Sequence, residues 1–417
     1  MATWFGLSWL IGKRGEQRGK DASARLASPS AKIESLEPRT FLSASATPAV
    51  AATAPTGPTI SFTATQRLTD VSSFNGYITT GVFTSNGLED FASTRGNAVS
   101  NAIYIYLNNG NDTFTQSQVY HLNDPRGIVA GDFNNDGITD LAVVAENNNN
   151  GSNATSAAIY ILYGNGDGTF QTPVKVSHTR MGFGAITASD FTNNGQLDLA
   201  VTNSQAVSIY MNEGNGTFAK AVRYHTLIGH AAYVTAADLN GDGVPDLVIG
   251  KGINPYVSVL MGQTINGQPT GVFEQAVRYK THNLPISVSV ADLTGAGGLP
   301  DIIVGNNGFR QGVSVLMNNG DGTFAPQVTY QAGNLVRYVT TGDFANDGTT
   351  DIASTDFDGP LNVFLNNGDG TLSTPQTISA GKNGDFLTPI DLGNGVESLL
   401  VSHSGDVSVL LNTTPAT

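Results

Sequence analysis

The chain has 417 residues, a formal net charge of −14, 49 glycines and no cysteine. This acidity argues against nucleic-acid binding, which needs a surplus of lysine and arginine. The lack of cysteine excludes disulfides, zinc–thiolate sites and thiol catalysis. No apolar run reaches the ~18 residues of a transmembrane helix, so no membrane span is expected. The abundance of Gly, Asn, Thr and Val predicts many short strands joined by tight turns.

Residues 1–45 form a basic leader, with seven Lys or Arg against four acidic residues. Such a leader before an acidic body is typical of a targeting segment, although its apolar run WFGLSWLI precedes the basic cluster, unlike in a standard signal peptide. The stretch KIESLEPRTFLSASA, Lys32–Ala46, resembles the LEPR-type N-terminal segment of many exported planctomycete proteins, which implies export. A disordered basic tail is the alternative. Residues 46–58 are predicted to be a linker.

One loop pattern returns seven times along the rest of the chain, about every fifty residues. Each loop leads into an apolar β-rich run such as DLAVVA, then a second run such as VSVLMNN, a hairpin signal close to NGDGTF, and a last strand. Asn-Gly and Asp-Gly favour such hairpins because these residues tolerate positive φ. The loops begin at Val82, Asp132, Asp190, Asp238, Asp292, Asp343 and Asp391.

Seven four-stranded repeats without a helix signal predict an all-β fold, a seven-bladed β-propeller over residues 59–412. The last repeat ends at Val407–Asn412 without a fourth strand. The segment Thr59–Leu68 is therefore expected to complete that blade and close the ring, leaving 413–417 as a tail. The pattern DFNNDGITDLAVV…SVLMNNGDGTF resembles the FG-GAP/VCBS repeat family, which includes the integrin α-subunit propellers.

The loop DFNNDGITD, which opens at Asp132, carries oxygen donors at positions 1, 3, 5, 7 and 9. These donors are the side chains of Asp132, Asn134, Asp136 and Asp140 and the main-chain carbonyl of Ile138. Hard oxygen ligands at this spacing suit Ca²⁺, and in the resembling family these positions bind it. The loop is not an EF-hand, because position 12 is Val143 and not a bidentate Glu. The alternative is a polar turn whose side chains cap backbone N–H groups.

The other loops match this pattern unequally. The Asp292 loop has one extra residue and Ala296 at position 5, so we expect no ion there, and the first and last loops lack most ligands. A bound ion would be structural, since it screens clustered carboxylates and orders a loop. The remaining candidate ligands are Asp238, Asn240, Asp242, Val244 and Asp246; Asp343, Asp347, Thr349 and Asp351; and Asp190, Thr192, Asn194 and Asp198.

Strand alternation places the aspartate loops on one face of the ring and the blade-to-blade connections on the other. All six histidines map to the second face, as do Arg126, Arg310 and Arg337, which are the candidate ligand-binding residues. Copying of one position among repeats would also produce this pattern. The resemblance implies partner binding on the face away from calcium.

No nucleophile elbow, Walker loop, HExxH motif or dinucleotide fingerprint occurs in the chain. The leading hypothesis is therefore a non-catalytic, exported, monomeric propeller, stabilised by calcium, that acts outside the cell or at its surface as an adhesion module for a protein or glycan. The alternatives are a catalytic propeller such as a polysaccharide lyase and a passive surface-structure protein. Convergence of the His and Arg residues in one cleft would favour the lyase, and their dispersal would favour binding.

Overall fold

The computed structural model describes residues 59–415 except 70–75, 97–100, 147–155, 181–183, 204, 228–230, 296, 358, 382–383 and 404. The predicted export segment 1–45 and linker 46–58 lie outside the described residues. Within this part of the chain all regular structure is β, and no helix is present that is long and apolar enough to cross a membrane.

In the described residues, seven four-stranded antiparallel sheets form the blades. Six are each built from one repeat, and the seventh adds an N-terminal strand to the last repeat, so the predicted propeller is confirmed. The first blade contains β2 (Ile78–Gly81), β3 (Asp90–Arg95), β4 (Ala102–Asn108) and β5 (Phe114–His121). The second contains β6 (Pro125–Gly131), β7 (Asp140–Glu146), β8 (Ser156–Leu162) and β9 (Val174–Arg180), and the third β10 (Ile186–Ser189), β11 (Asp198–Asn203), β12 (Ala206–Tyr210) and β13 (Val222–His225).

The fourth blade contains β14 (Ala231–Ala237), β15 (Asp246–Lys251), β16 (Tyr256–Leu260) and β19 (Val277–Lys280), and an added two-stranded ribbon, β17 (Gly262–Ile265) and β18 (Gln268–Phe273), replaces the short hairpin. The fifth contains β20 (Pro285–Ala291), β21 (Asp301–Asn306), β22 (Val313–Leu316) and β23 (Val328–Tyr330), and the sixth β24 (Val336–Gly342), β25 (Asp351–Asp356), β26 (Leu361–Phe364) and β27 (Gln376–Ile378). The seventh contains β28 (Gly384–Asp391), β29 (Glu397–His403), β30 (Asp406–Asn412) and β1 (Phe62–Thr69).

The burial of each strand explains its residue pattern. The second strand of a blade, such as β11 or β21, is buried along its whole length because neighbouring blades cover both of its faces, hence its continuous apolar run. The fourth strand is outermost and half exposed, as in β13 and β19. The first strands line a central channel of about 270 Å³.

The ring is closed in the predicted way, by pairing β1 with β30. Their antiparallel register runs from Phe62 opposite Asn412 to Thr69 opposite Asp406. Beyond the strands, Thr413 N donates to Ser61 O (2.7 Å). Pairing with β1 gives the seventh blade four strands like the other blades and covers the edge that β30 would otherwise expose.

Neighbouring blades are held together by the buried Phe or Leu at position 2 of the aspartate loop. Phe133 is fully buried in a cluster with Ile186 and Leu199 of the following blade, and its ring centroid lies 6.4 Å from that of Phe218 in the next hairpin. Burial of such a side chain contributes about 1.5–3 kcal/mol. The recurring DF and GTF motifs therefore form the packing between blades.

An asparagine at the end of the third strand also links blades. In the sixth blade, Asn366 Nδ2 donates to Leu293 O in the fifth (2.8 Å) and to Thr350 O in its own blade (3.0 Å). The same pair of bonds is made by Asn212, Asn318 and Asn412 in the third, fifth and seventh blades. We call this arrangement the asparagine bridge.

Candidate functional site

In the first six loops, the aspartate at position 9 (position 10 in the longer Asp292 loop) ties the loop to its own blade. In the seventh loop, Ser398 Oγ accepts from Asn412 N instead (3.1 Å). Asp140 is buried, and its Oδ2 accepts from Phe133 N (3.0 Å) while its Oδ1 accepts from Gly164 N (2.8 Å). The carboxylate thus ties the loop to the end of the third strand. Equivalent pairs of bonds are made by Asp90, Asp198, Asp246, Asp301 and Asp351.

The exposed part of the loop is shaped by side chains that cap backbone N–H groups. Asp132 accepts from Asp136 N (3.2 Å) and Gly137 N (2.8 Å), and Asp136 accepts from Ile138 N (2.9 Å). Gly137 has a φ of 82°, a left-handed conformation that favours glycine. These bonds are those of the polar-turn alternative, and they recur at Asp238 and Asp343.

The loops that begin at Asp132, Asp238 and Asp343 each contain three carboxylates, which lie close enough to repel one another. Burial raises the pKa of Asp140 to about 6, and the charges of Asp136 and Asp132 add to that rise, while its N–H donors oppose it. In the same way, burial and two neighbouring carboxylates raise the pKa of Asp246 and of Asp351 to about 7. A cation would relieve this repulsion.

The donor set of these loops fits calcium in its chemistry, since each combines three carboxylates with further oxygen atoms. As the side chains are arranged, they face backbone N–H groups, and no cluster of three His, Asp or Glu in the described ranges is placed to hold a metal. Calcium binding therefore stays a prediction. The hydrogen bonds of the position-9 aspartate to two backbone N–H groups account for this residue with or without an ion.

Two of the three candidate arginines line the same pocket at one end of the central channel. Arg126 of β6 and Arg337 of β24 both line a pocket of about 370 Å³. The pocket lies where the inner strands begin, and the aspartate loops follow the other ends of those strands. Arg310 is not among the lining residues; it lies in the β21–β22 loop, with its guanidinium 5.2 Å from the ring centroid of Phe309.

The described histidines do not join this pocket. His121 and His225 end the outermost strands β5 and β13, and His282 follows β19. His403 is buried at the end of β29, with Nε2 3.1 Å from Ser408 Oγ. The side chains of His178 and His230 lie outside the described part of the molecule. Two arginines therefore line this pocket, and none of the described histidines does.

Four aromatic rings form the floor of this pocket and separate it from the channel, since Tyr77, Tyr233, Tyr338 and Phe386 border both spaces. The hydroxyls of Tyr233 and Tyr338 are hydrogen bonded. The ring centroids of Tyr338 and Phe386 are 4.0 Å apart, and those of Tyr77 and Phe386 5.3 Å. Burial raises the pKa of Tyr77 to about 12, so its hydroxyl keeps its proton. We call the pocket and this floor the channel mouth.

The channel mouth also contains Asp385, which sequence reasoning missed together with the aromatic rings. Asp385 Oδ1 lies 3.8 Å from Arg337 Nη1. An alignment of the repeats on their aspartate loops could have identified these residues. The ring residues stand five positions before the first loop residue, and Arg126, Arg337 and Asp385 stand six before it. The other repeats carry Gly, Ala, Ser or Ile at these places, so the variation between repeats marks the site.

These features define a class of protein, a closed seven-bladed propeller whose blades are built on aspartate loops. The model of the FG-GAP-like repeat matches residues 83–143, 132–201, 190–249, 298–354 and 343–401. Because these matches span more than half of the chain, the protein belongs to the FG-GAP-like repeat family. No curated protein matches it.

Solved structures with the same fold include a lectin of Agrocybe aegerita, studied for its recognition of non-reducing terminal N-acetylglucosamine. It is 22% identical over 74% of this chain and 81% of its own, with a TM-score of 0.53. The BBS1N chain, solved in complex with ARL6DN in mercury- and lead-soaked crystals, is 12% identical over 85% of this chain and 98% of its own, with a TM-score of 0.57. At these identities the likeness concerns the fold alone.

Proposed function

We propose that the protein is an exported, calcium-stabilised propeller that binds a protein or glycan partner through the face opposite the aspartate loops. The observation that carries this proposal is the channel mouth. Two arginines, a carboxylate and four aromatic rings from five different blades line one pocket. A concave, aromatic site with a few polar groups is the usual form of a binding site.

Calcium would act on the other face. The residues that would hold it are Asp132, Asn134, Asp136, Asp140 and the Ile138 carbonyl, with their counterparts in the Asp238 and Asp343 loops and, with fewer carboxylates, in the Asp190 loop. The ion supplies positive charge to clustered carboxylates whose repulsion otherwise opposes loop order. The support for this role is the raised pKa of the three buried aspartates.

Binding is favoured over lyase chemistry by the arrangement of the basic residues. A lyase needs a proton acceptor beside its charge-neutralising groups. The described histidines lie away from the pocket, on outer strands or in a buried loop end, and the lining tyrosines have raised pKa values. The two solved relatives differ in what they bind, and the fold does not choose between a protein and a glycan partner.

The test begins with a glycan and protein array in millimolar calcium. Any partner is then titrated with a triple variant, Arg126→Ala, Arg310→Ala and Arg337→Ala, and with Asp321→Ala. Asp321 lies in an exposed hairpin on the aspartate-loop face, where its carboxylate accepts from Thr323 N (2.9 Å). We expect the arginine variant to lose binding and the hairpin variant to keep it. The reverse pattern, or wild-type affinity in the arginine variant, would show that the other face binds.

A further inference from the structure

The size of the channel mouth sets the size of its ligand. Its volume of about 370 Å³ lies near the small end of the range for ligand pockets, about 300–1,000 Å³. The aromatic floor closes it toward the channel, so a polymer cannot thread through. The pocket therefore suits one or two sugar rings or a single side chain at the end of a larger partner.

The two arginines of the pocket favour a ligand that carries a carboxylate. The side chains of Arg126 and Arg337 are 28% and 27% exposed, and each lies beside one carboxylate: Arg126 Nη2 is 3.1 Å from Asp124 Oδ2, and Arg337 Nη1 is 3.8 Å from Asp385 Oδ1. A guanidinium has five N–H donors, so one carboxylate partner does not use all of them. Arginine pairs with a carboxylate through two parallel hydrogen bonds. Asp385, whose side chain is only 5% exposed, adds a fixed negative charge beside Arg337. The charges of Asp385 and Asp124 weaken the attraction for a dianion such as phosphate.

The rings and hydroxyls of the pocket match a pyranose. Such a sugar has apolar faces of C–H groups, which pack on aromatic rings, and a rim of hydroxyls that need hydrogen-bond partners. The rings of Tyr77, Tyr233, Tyr338 and Phe386 provide the apolar packing surface, and the tyrosine hydroxyls provide the hydrogen-bond partners. Arg337 is also positioned by Phe357, whose ring centroid lies 4.6 Å from its guanidinium.

We propose that the channel mouth binds the terminal residue of an acidic glycan, a sugar ring that carries a carboxylate. Arg126 and Arg337 recognise the carboxylate, the tyrosine hydroxyls bond to the ring hydroxyls, and the aromatic floor packs against the sugar face. A terminal residue fits better than a polyanionic chain, because the net charge of −14 repels a long polyanion. This inference rests on the proposed function and names its ligand class.

The test compares matched probes by calorimetry or ligand-observed NMR on the propeller in calcium. The probes are methyl β-glucuronide; methyl β-glucoside, which has a hydroxymethyl group in place of the carboxylate; glucose 6-phosphate, a dianion; and a short acidic peptide. We expect the glucuronide to bind at least tenfold more tightly than the other three. Arg126→Ala and Arg337→Ala should each weaken glucuronide binding about tenfold to hundredfold, the loss of a charged hydrogen-bond pair, and leave the glucoside unchanged.

Arg278→Ala is the control variant, since Arg278 lies on the outer strand β19, 5.3 Å from the ring centroid of Tyr256 and outside the pocket. It should bind the glucuronide as wild type does. Unchanged melting of each variant shows that it is folded. Equal affinity for glucuronide and glucoside, tighter binding of the peptide or the phosphate, or no binding of any probe would overturn the acidic-sugar inference. The proposed function fails separately, when array partners bind the triple arginine variant as well as wild type.

Discussion

Asn366 offers the sharpest test of how the blades are held together. Its Nδ2 bonds to Leu293 O and Thr350 O, and its Oδ1 accepts from Gly368 N (3.0 Å). The side chain is 7% exposed, so water cannot easily replace these partners. Each net hydrogen bond is worth about 0.5–1.5 kcal/mol, and Asn366→Ala removes three. We therefore expect the free energy of unfolding to fall by about 2–4 kcal/mol.

The neighbouring residue supplies a matched control. Asn367 is exposed, and its Nδ2 bonds to Thr371 Oγ1 (2.9 Å), also at the surface. Asn367→Ala should cost less than about 0.5 kcal/mol. Asn366→Asp should be worse than Asn366→Ala, because a carboxylate would face two carbonyl oxygens that now receive N–H donors.

Urea unfolding followed by far-ultraviolet circular dichroism is the suitable assay. Tryptophan fluorescence would not report on the blades, since both tryptophans, Trp4 and Trp9, precede the propeller. Transitions of Asn366→Ala and Asn367→Ala within about 0.5 kcal/mol of each other would refute the asparagine bridge as a source of stability. An Asn366→Asp variant as stable as the wild type would also refute it, because loss of the two N–H donors of Nδ2 would then have no effect on stability.

Two further predictions concern calcium and ring closure. Millimolar calcium should raise the melting temperature of the wild type, because extracellular sites bind at about 10⁻⁴–10⁻³ M. Asp238→Ala should reduce this rise in melting temperature, and Asp292→Ala should leave it unchanged. No rise in the wild type would contradict a structural ion. A chain that starts at residue 70 lacks β1 and should melt lower and associate through the exposed edge of β30, compared by calorimetry and gel filtration with a chain that starts at Thr59. Identical melting of the two chains would show that the latch does not stabilise the ring.

The fold was largely predictable because its signals are local and repeated. The NGDGTF hairpins and the apolar runs after each loop mark four strands per repeat, and the absent fourth strand of the last repeat indicates the role of Thr59–Leu68. The observed β1, Phe62–Thr69, pairs with β30 as expected. The ribbon β17–β18 was not predicted, since its Asn266-Gly267 turn resembles the shorter hairpins of the other blades.

The sites were harder to predict, for two physical reasons. An aspartate at position 9 serves equally as a metal ligand or as an acceptor for two backbone N–H groups, so the spacing of Asp132 and Asp140 does not separate the two roles. The channel mouth depends on ring closure, which brings Tyr77 next to Phe386. No local pattern predicts that contact, and only an alignment of the repeats on their loops reveals the unusual residues.

The pairing of β1 with β30 has a consequence for how the molecule is made. Ser61 and Thr413, which touch in the finished ring, are 352 residues apart in the chain. During synthesis β1 emerges first and must wait for its partner until nearly the whole propeller has been translated. Closing this loop in the unfolded chain costs conformational entropy. Stacking of the intervening blades brings the two ends together first, so closure is expected as a late step. Joining the two neighbouring ends and cutting the chain in a surface loop of another blade should give a circular permutant with the same ring, built from a different starting strand.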